Sequence, residues 1–167
     1  MSNNHHNNSN SSNPILMSQD GIKKIERDLY DLTENKRPDM LRSLQEAREK
    51  GDLSENAEYA AAREGLTHID IQIGKLQRLL SRVVQFDEND IKTDKIGLMS
   101  RVRILNLKTE KVLEYRVVAP EEADPRSGSI SSTSPVGKAL IGKAVGEEFE
   151  VEVPAGLVKY RVSEISK

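Results

Sequence analysis

The 167-residue chain contains no cysteine. Disulfide scaffolds, zinc–thiolate sites and thiol catalysis are therefore excluded. It has no tryptophan and only two phenylalanines, Phe86 and Phe149. An aromatic-lined ligand pocket has little to be built from. Three histidines, His5, His6 and His68, leave little for a histidine metal site. No apolar run approaches the ~20 residues that a membrane helix needs. The N-terminus shows neither the basic start nor the apolar stretch of a signal, so the expectation is a cytoplasmic chain with no membrane partner. Charge of one sign is also missing: 25 Lys and Arg against 27 Asp and Glu leave a net charge of −2. A globally basic nucleic-acid binder draws affinity from neutralising phosphates and is disfavoured here, although a local basic patch is not.

What is present is charge and periodicity. Charged residues make up 31% and hydrophobic residues 36%, a balance that suits helices with much exposed surface. Residues 1–16 open with "MSNNHHNNSNSSN", which has almost nothing to bury and reads as a disordered polar tail. Residues 17–85 read as helix. Ser18 is a natural N-cap, and Ile22, Ile25, Leu29 and Leu32 form a narrow apolar stripe. Pro38 interrupts it, and the stripe resumes in a shifted phase at Met40 or Leu41, Leu44 and Ala47. Gly51 supplies a stop. Tyr59, Ala62, Leu66, Ile69, Ile73, Leu76, Leu80 and Val83 then follow a sustained heptad seam. Two long helices joined by so short a turn run antiparallel. The expectation is a coiled-coil hairpin, a rod of roughly 45 Å at ~1.5 Å per residue, with "KGDLS" at its tip.

Residues 86–97 are polar and read as a linker. Over 98–167 the apolar period changes to two. "RVRILNL", "KVLEYRVV", the Phe149–Val151–Val153 alternation and the Val158–Tyr160–Val162 alternation predict strands, and a short helical turn is expected around Lys138 to Ile141. The fold class is thus α+β: an antiparallel helical hairpin followed by a small, mainly antiparallel β domain.

The tip stretch "KGDLSENAEY" carries two acids, Asp52 and Glu55, beside a glycine. Asp-x-x-Glu has the form of a capping box, with Asp52 as N-cap and Glu55 reaching back. Ser54, however, is able to cap this helix without either acid. Two carboxylates one helical turn apart also suit a hard divalent cation such as Mg²⁺, but they are too few for a complete site. Cap and metal ligand both stand as readings at this point.

The chain resembles the GreA/GreB family of bacterial transcript-cleavage factors and lies nearer its GreA branch. The resemblance covers everything after the tail. It rests on "RPDMLRSLQEAREKGDLSENAEYAAARE" in the hairpin and on "RVRILNL", "EYRVV", "EEAD", "ISSTSPVGKALIGK" and "VEVPAG" beyond it. It implies a coiled-coil hairpin and a C-terminal domain similar to the FKBP fold. It also implies a partner, RNA polymerase that has backtracked, with its RNA 3′ end extruded into the secondary channel. By that resemblance Asp52 and Glu55 reach the active centre and help to hold Mg²⁺ shared with the polymerase, which the factor does not bind stably alone. The polymerase itself performs the RNA cleavage, so the factor is not an enzyme in its own right.

The resemblance further implies that some of Arg37, Arg42, Arg48, Lys50 and Arg63 contact RNA or polymerase. The alternative is that they pair with Glu46, Glu49 and Glu64 on a solvated face. Ser134, Pro135, Gly137, Ile141 and Gly142 match the loop that docks on the polymerase, whereas the plainer reading is that Pro and Gly shape turns there. A hairpin that satisfies its own seam points to a monomer. Two other functions remain open: a related protein that occupies the channel and modulates the polymerase without cleavage, and a structural adaptor whose Asp-x-x-Glu is only a cap.

Overall fold

A computed structural model describes residues 13–52 and 56–167. The chain divides into two compact units. Within the described residues one comprises 13–15 and 23–84, and the other 16–22 and 85–167. Most of the expected polar tail, residues 1–12 with His5 and His6, lies outside the described residues. Its last part does not behave as a tail: Ile15–Met17 form a strand, β1, which pairs with β2 (Val83–Gln85). Ile15 is 8% and Met17 1% exposed.

The first helix, α1 (Gln19–Tyr30), begins where Ser18 was expected to cap it. The Gly21 amide donates to the Ser18 hydroxyl at 3.0 Å. The Ser18 amide and hydroxyl in turn donate to the Glu122 carboxylate, which sits at this helix start as a favourable anion. After Tyr30 the chain does not break. It continues through a π-helical segment, Asp31–Lys36, into α2 (Arg37–Glu49).

That segment explains the slipped stripe. Continuing the 4-3 spacing from Leu32 would place apolar residues at 36 and 39, yet Lys and Asp stand there and the stripe resumes at Met40. A π turn carries one extra residue and absorbs the slip. The Arg37 amide accordingly donates five residues back, to Leu32 O. Pro38 follows in the first turn of α2, where its missing N–H costs little. Met40, rather than Leu41, faces the seam: Leu41 is 40% exposed, while Met40 is half-buried.

α3 (Ala57–Arg82) runs antiparallel to α2. The pairing is fixed by Arg37 to Asp70 at 2.7 Å and by Met40 lying over Gly65. It is fixed nearer the turn by Lys50 to Glu58 at 2.6 Å. Every seam position named from the sequence in α3 is buried or half-buried, as is Val83 just beyond it.

The second unit is built on a five-stranded sheet in the order β5-β4-β3-β7-β6, where β3 is Arg101–Asn106, β4 Val112–Val118, β5 Ser129–Ser131, β6 Glu148–Val153 and β7 Gly156–Ser166. The pairs β3–β4, β3–β7 and β6–β7 are antiparallel. The pair β4–β5 is parallel, so the sheet is mixed rather than wholly antiparallel. One helix, α4 (Pro135–Leu140), packs on it and contributes Leu140 to the core with Val102, Ile104, Val117, Phe149, Val151 and Val162. The stretch read as a linker is also revised. Ile96 joins this core, and Ile91 packs with Met99 and Val118 in a second cluster. Lone apolar residues in a polar run gave no period to read.

Candidate functional site

The tip is shaped by where each helix is allowed to end. α2 finishes at Glu49, and the Gly51 amide donates to Arg48 O at 3.4 Å. Gly51 has φ +114°, a backbone that favours glycine, and a Cβ there would meet nothing within 4 Å. The backbone, not crowding, calls for glycine. Asp52 follows, exposed. Leu53, Ser54 and Glu55 lie outside the described residues.

The cap of α3 is Asn56. Its side-chain oxygen accepts the Tyr59 amide at 3.0 Å. Asn56, not Asp52, is therefore the N-cap of the helix that starts at Ala57, while Ser54 and Glu55, the other residues of the expected caps, lie outside the described residues. Asn and Asp are about equal as N-caps, so position decides: Asn56 immediately precedes the first helical residue, Ala57. Asn56 has a second role. Its side-chain amide donates to Ala47 O at 2.8 Å, across the turn to the end of α2.

Two further contacts cross the tip. The Arg48 guanidinium lies 5.8 Å from the centroid of the Tyr59 ring. Lys50 pairs with Glu58 at 2.6 Å with both side chains well exposed, and Glu58, ahead of the more distant Glu46, raises the Lys50 pKa. Exposed pairs of this kind contribute little, because water and salt screen both charges. The part-buried Asn56 bond satisfies a helix-end carbonyl and belongs to the class worth about 0.5–1.5 kcal/mol.

The other basic residues take partners different from those expected. Arg37 binds Asp70, which raises its pKa. Arg42 binds Asp39 at 3.3 Å. Arg63 is exposed and makes no ion pair among the described residues. Among the described residues, Glu46, Glu49 and Glu64 form no ion pair with any of the five.

In the second unit, the five residues of the "SPVGKALIGK" loop separate into two kinds. Ser134 caps α4: its hydroxyl accepts the Gly137 amide at 3.0 Å and donates to Ser131 O at 2.7 Å. Pro135 is at the start of that helix. Gly137 is buried so close to the Ser131 carbonyl that no side chain fits. These three build the loop. Ile141, 42% exposed, and Gly142, with φ +84°, face outward just after it.

The sequence is matched by known families. Residues 15–84 match the family described as "Transcription elongation factor, N-terminal", and residues 91–167 match "Transcription elongation factor, GreA/GreB, C-term". The chain is 42% identical over 154 residues to transcription elongation factor GreA of Chloroherpeton thalassium, covering 92% of this chain and 98% of that one. It is 43% identical over 152 residues to the factor of the same name from Thermodesulfovibrio yellowstonii, covering 91% and 96%. The chain belongs to the GreA/GreB family.

A solved structure similar to this family member is GreA factor homolog 1 of Thermus thermophilus, at 28% identity, 92% coverage of this chain, 99% of that chain and a TM-score of 0.43. The sequence reading of this GreA/GreB-family chain missed Asn56 as cap and brace. A signal was available: Asn stands directly before "AEYAAARE", the cap position of a helical run. The Asp-x-x-Glu pattern four residues upstream obscured it. Among the described residues no helix is long and apolar enough to cross a membrane. No group of three or more metal-ligating side chains gathers among them either.

Proposed function

We propose that this elongation factor binds bacterial RNA polymerase through its secondary channel and stimulates the polymerase's own cleavage of backtracked RNA, with Asp52 and Glu55 as the carboxylates it contributes. One observation carries this reading: the chain is 42% identical over 154 residues to a transcription elongation factor GreA, and Asp52 is an exposed carboxylate in the turn between α2 and α3. Asp52 and Glu55 fit Mg²⁺ as an incomplete set of hard oxygen ligands, the rest of which the polymerase supplies. Asp52 and Glu55 would hold the cation there, and it would supply charge stabilisation to the oxygens of an in-line displacement. Arg63, which has no ion-pair partner among the described residues, is available to an RNA phosphate. Arg37, Arg42 and Lys50 must first release Asp70, Asp39 and Glu58 to do the same. Ile141 and Gly142 present the outer side of the docking loop, and Ser134, Pro135 and Gly137 hold its shape.

The test is cleavage of RNA in backtracked polymerase complexes. Asp52→Ala and Glu55→Ala are each expected to lower stimulated cleavage by at least about 100-fold, the scale of losing a group that acts only in the transition state. Binding to the polymerase, measured separately, should persist. Full cleavage by both variants would sink the proposal. Binding by the unaltered protein with no cleavage would instead identify a modulator that occupies the channel without cutting.

A further inference from the structure

We infer that Asn56 is a positioning residue for the tip: its two-sided hydrogen bonding fixes the turn that carries Asp52. The inference rests on the proposed role of Asp52. Asn56 joins the end of α2 to the start of α3. Its oxygen takes the Tyr59 amide of α3, and its NH₂ group reaches Ala47 O at the end of α2. A single planar amide thus ties the two helix ends together. Asn offers a carbonyl acceptor and an NH₂ donor held apart on one planar side chain, and it is among the preferred N-cap residues. Of the described contacts that cross the tip, the Asn56 bond is part-buried. Gly51 has no neighbouring atoms where a side chain would lie, and the Lys50–Glu58 pair is exposed to solvent. Tyr59 links the brace onward, since the same residue that donates its amide to Asn56 carries the ring beneath Arg48.

Catalysis by positioned groups is sensitive to small displacements. The brace should therefore appear in cleavage more than in folding. Asn56→Ser separates the two roles. Serine keeps the cap acceptor but is too short to reach Ala47 O and has no NH₂. Asn56→Asp is the second variant: it keeps the cap acceptor and places a charge against that carbonyl.

The experiment measures both variants and the unaltered protein in four ways: helicity by circular dichroism, polymerase binding, backbone amide order of Gly51 and Asp52 by NMR relaxation of the free protein, and stimulated cleavage across a Mg²⁺ titration. Helicity and polymerase binding are expected to hold. Amide order at Gly51 and Asp52 should fall. Cleavage should drop roughly ten- to a hundredfold, the scale of a ~1 Å misplacement, with half-saturation moving to higher Mg²⁺. Unchanged amide order in both variants would overturn the inference, as would loosened amides with undiminished cleavage. Asp52→Ala is run alongside. If it cleaves fully, the role of Asp52 itself fails; if it is inactive while Asn56→Ser cleaves normally, only the positioning role fails.

Discussion

The hairpin and the sheet unit bury their apolar residues in different ways. In the hairpin Ile25, Leu32 and Ile69 retain 6–7% exposure, and many seam partners are only half-buried. In the sheet unit Ile104, Val117, Leu140 and Val162 are at 0%. Two helices cover each seam residue from one side only. A sheet roofed by a helix encloses its residues. The hairpin therefore spreads its stability thinly along its length, and its turn depends on local bonds such as those of Asn56. The sheet unit concentrates stability in a few side chains.

The largest expected effect tests this contrast directly. Leu140→Ala should cost about 2–5 kcal/mol, because the enclosed cavity has little freedom to collapse. Ile69→Ala in the seam should lie at about 2 kcal/mol, since neighbours and solvent can close over it. Residue-resolved amide exchange in each variant reads the two units separately. Equal losses at the two positions would break the comparison.

A smaller effect is expected at the turn. Gly51→Ala meets no steric obstacle, so its cost is that of the positive φ alone, about 1 kcal/mol. The thermal melt of helicity at 222 nm should fall by a few degrees. An unchanged melt would show that the turn readily takes another backbone shape and that glycine is not required by the fold.

The sequence made the regular parts legible. Heptad spacing marked all of the α3 seam, because a helix that packs on one side must repeat its apolar residues at that period. Period-two alternation likewise marked β3, β4, β6 and β7. The slip near Pro38 was visible, but its cause was not: a π segment and a break leave the same mark on a hydrophobic stripe. Ile91 and Ile96 sit singly in a polar run, and Ser129–Ser131 is only three residues long with one apolar side chain, so neither has a local pattern. At the tip the acids drew attention and the neutral Asn56 did not, although the cap and the cross-turn brace both belong to it. Its cross-turn bond depends on Ala47 coming close in space, which no spacing rule encodes.

The smallest expected effect lies on the exposed edge of the sheet. Arg161 bonds Glu148 at 2.6 and 3.2 Å. That hydrogen bond, and then the charge of Arg161, hold the Glu148 carboxyl below its ordinary value of 4.5, against a smaller desolvation effect. A folded pKa lower than the unfolded one means that the pair stabilises the protein above 4.5 and ceases to do so as pH falls through the lower folded value. Glu148→Gln should therefore melt slightly below the unaltered protein at neutral pH, and the two should converge once the pH falls below the lowered folded value. The gap is small because both side chains are open to water and salt. A difference that persisted undiminished in acid would mean that Glu148 acts through packing on its strand, and the sheet unit would then owe more to its surface than its enclosed core suggests.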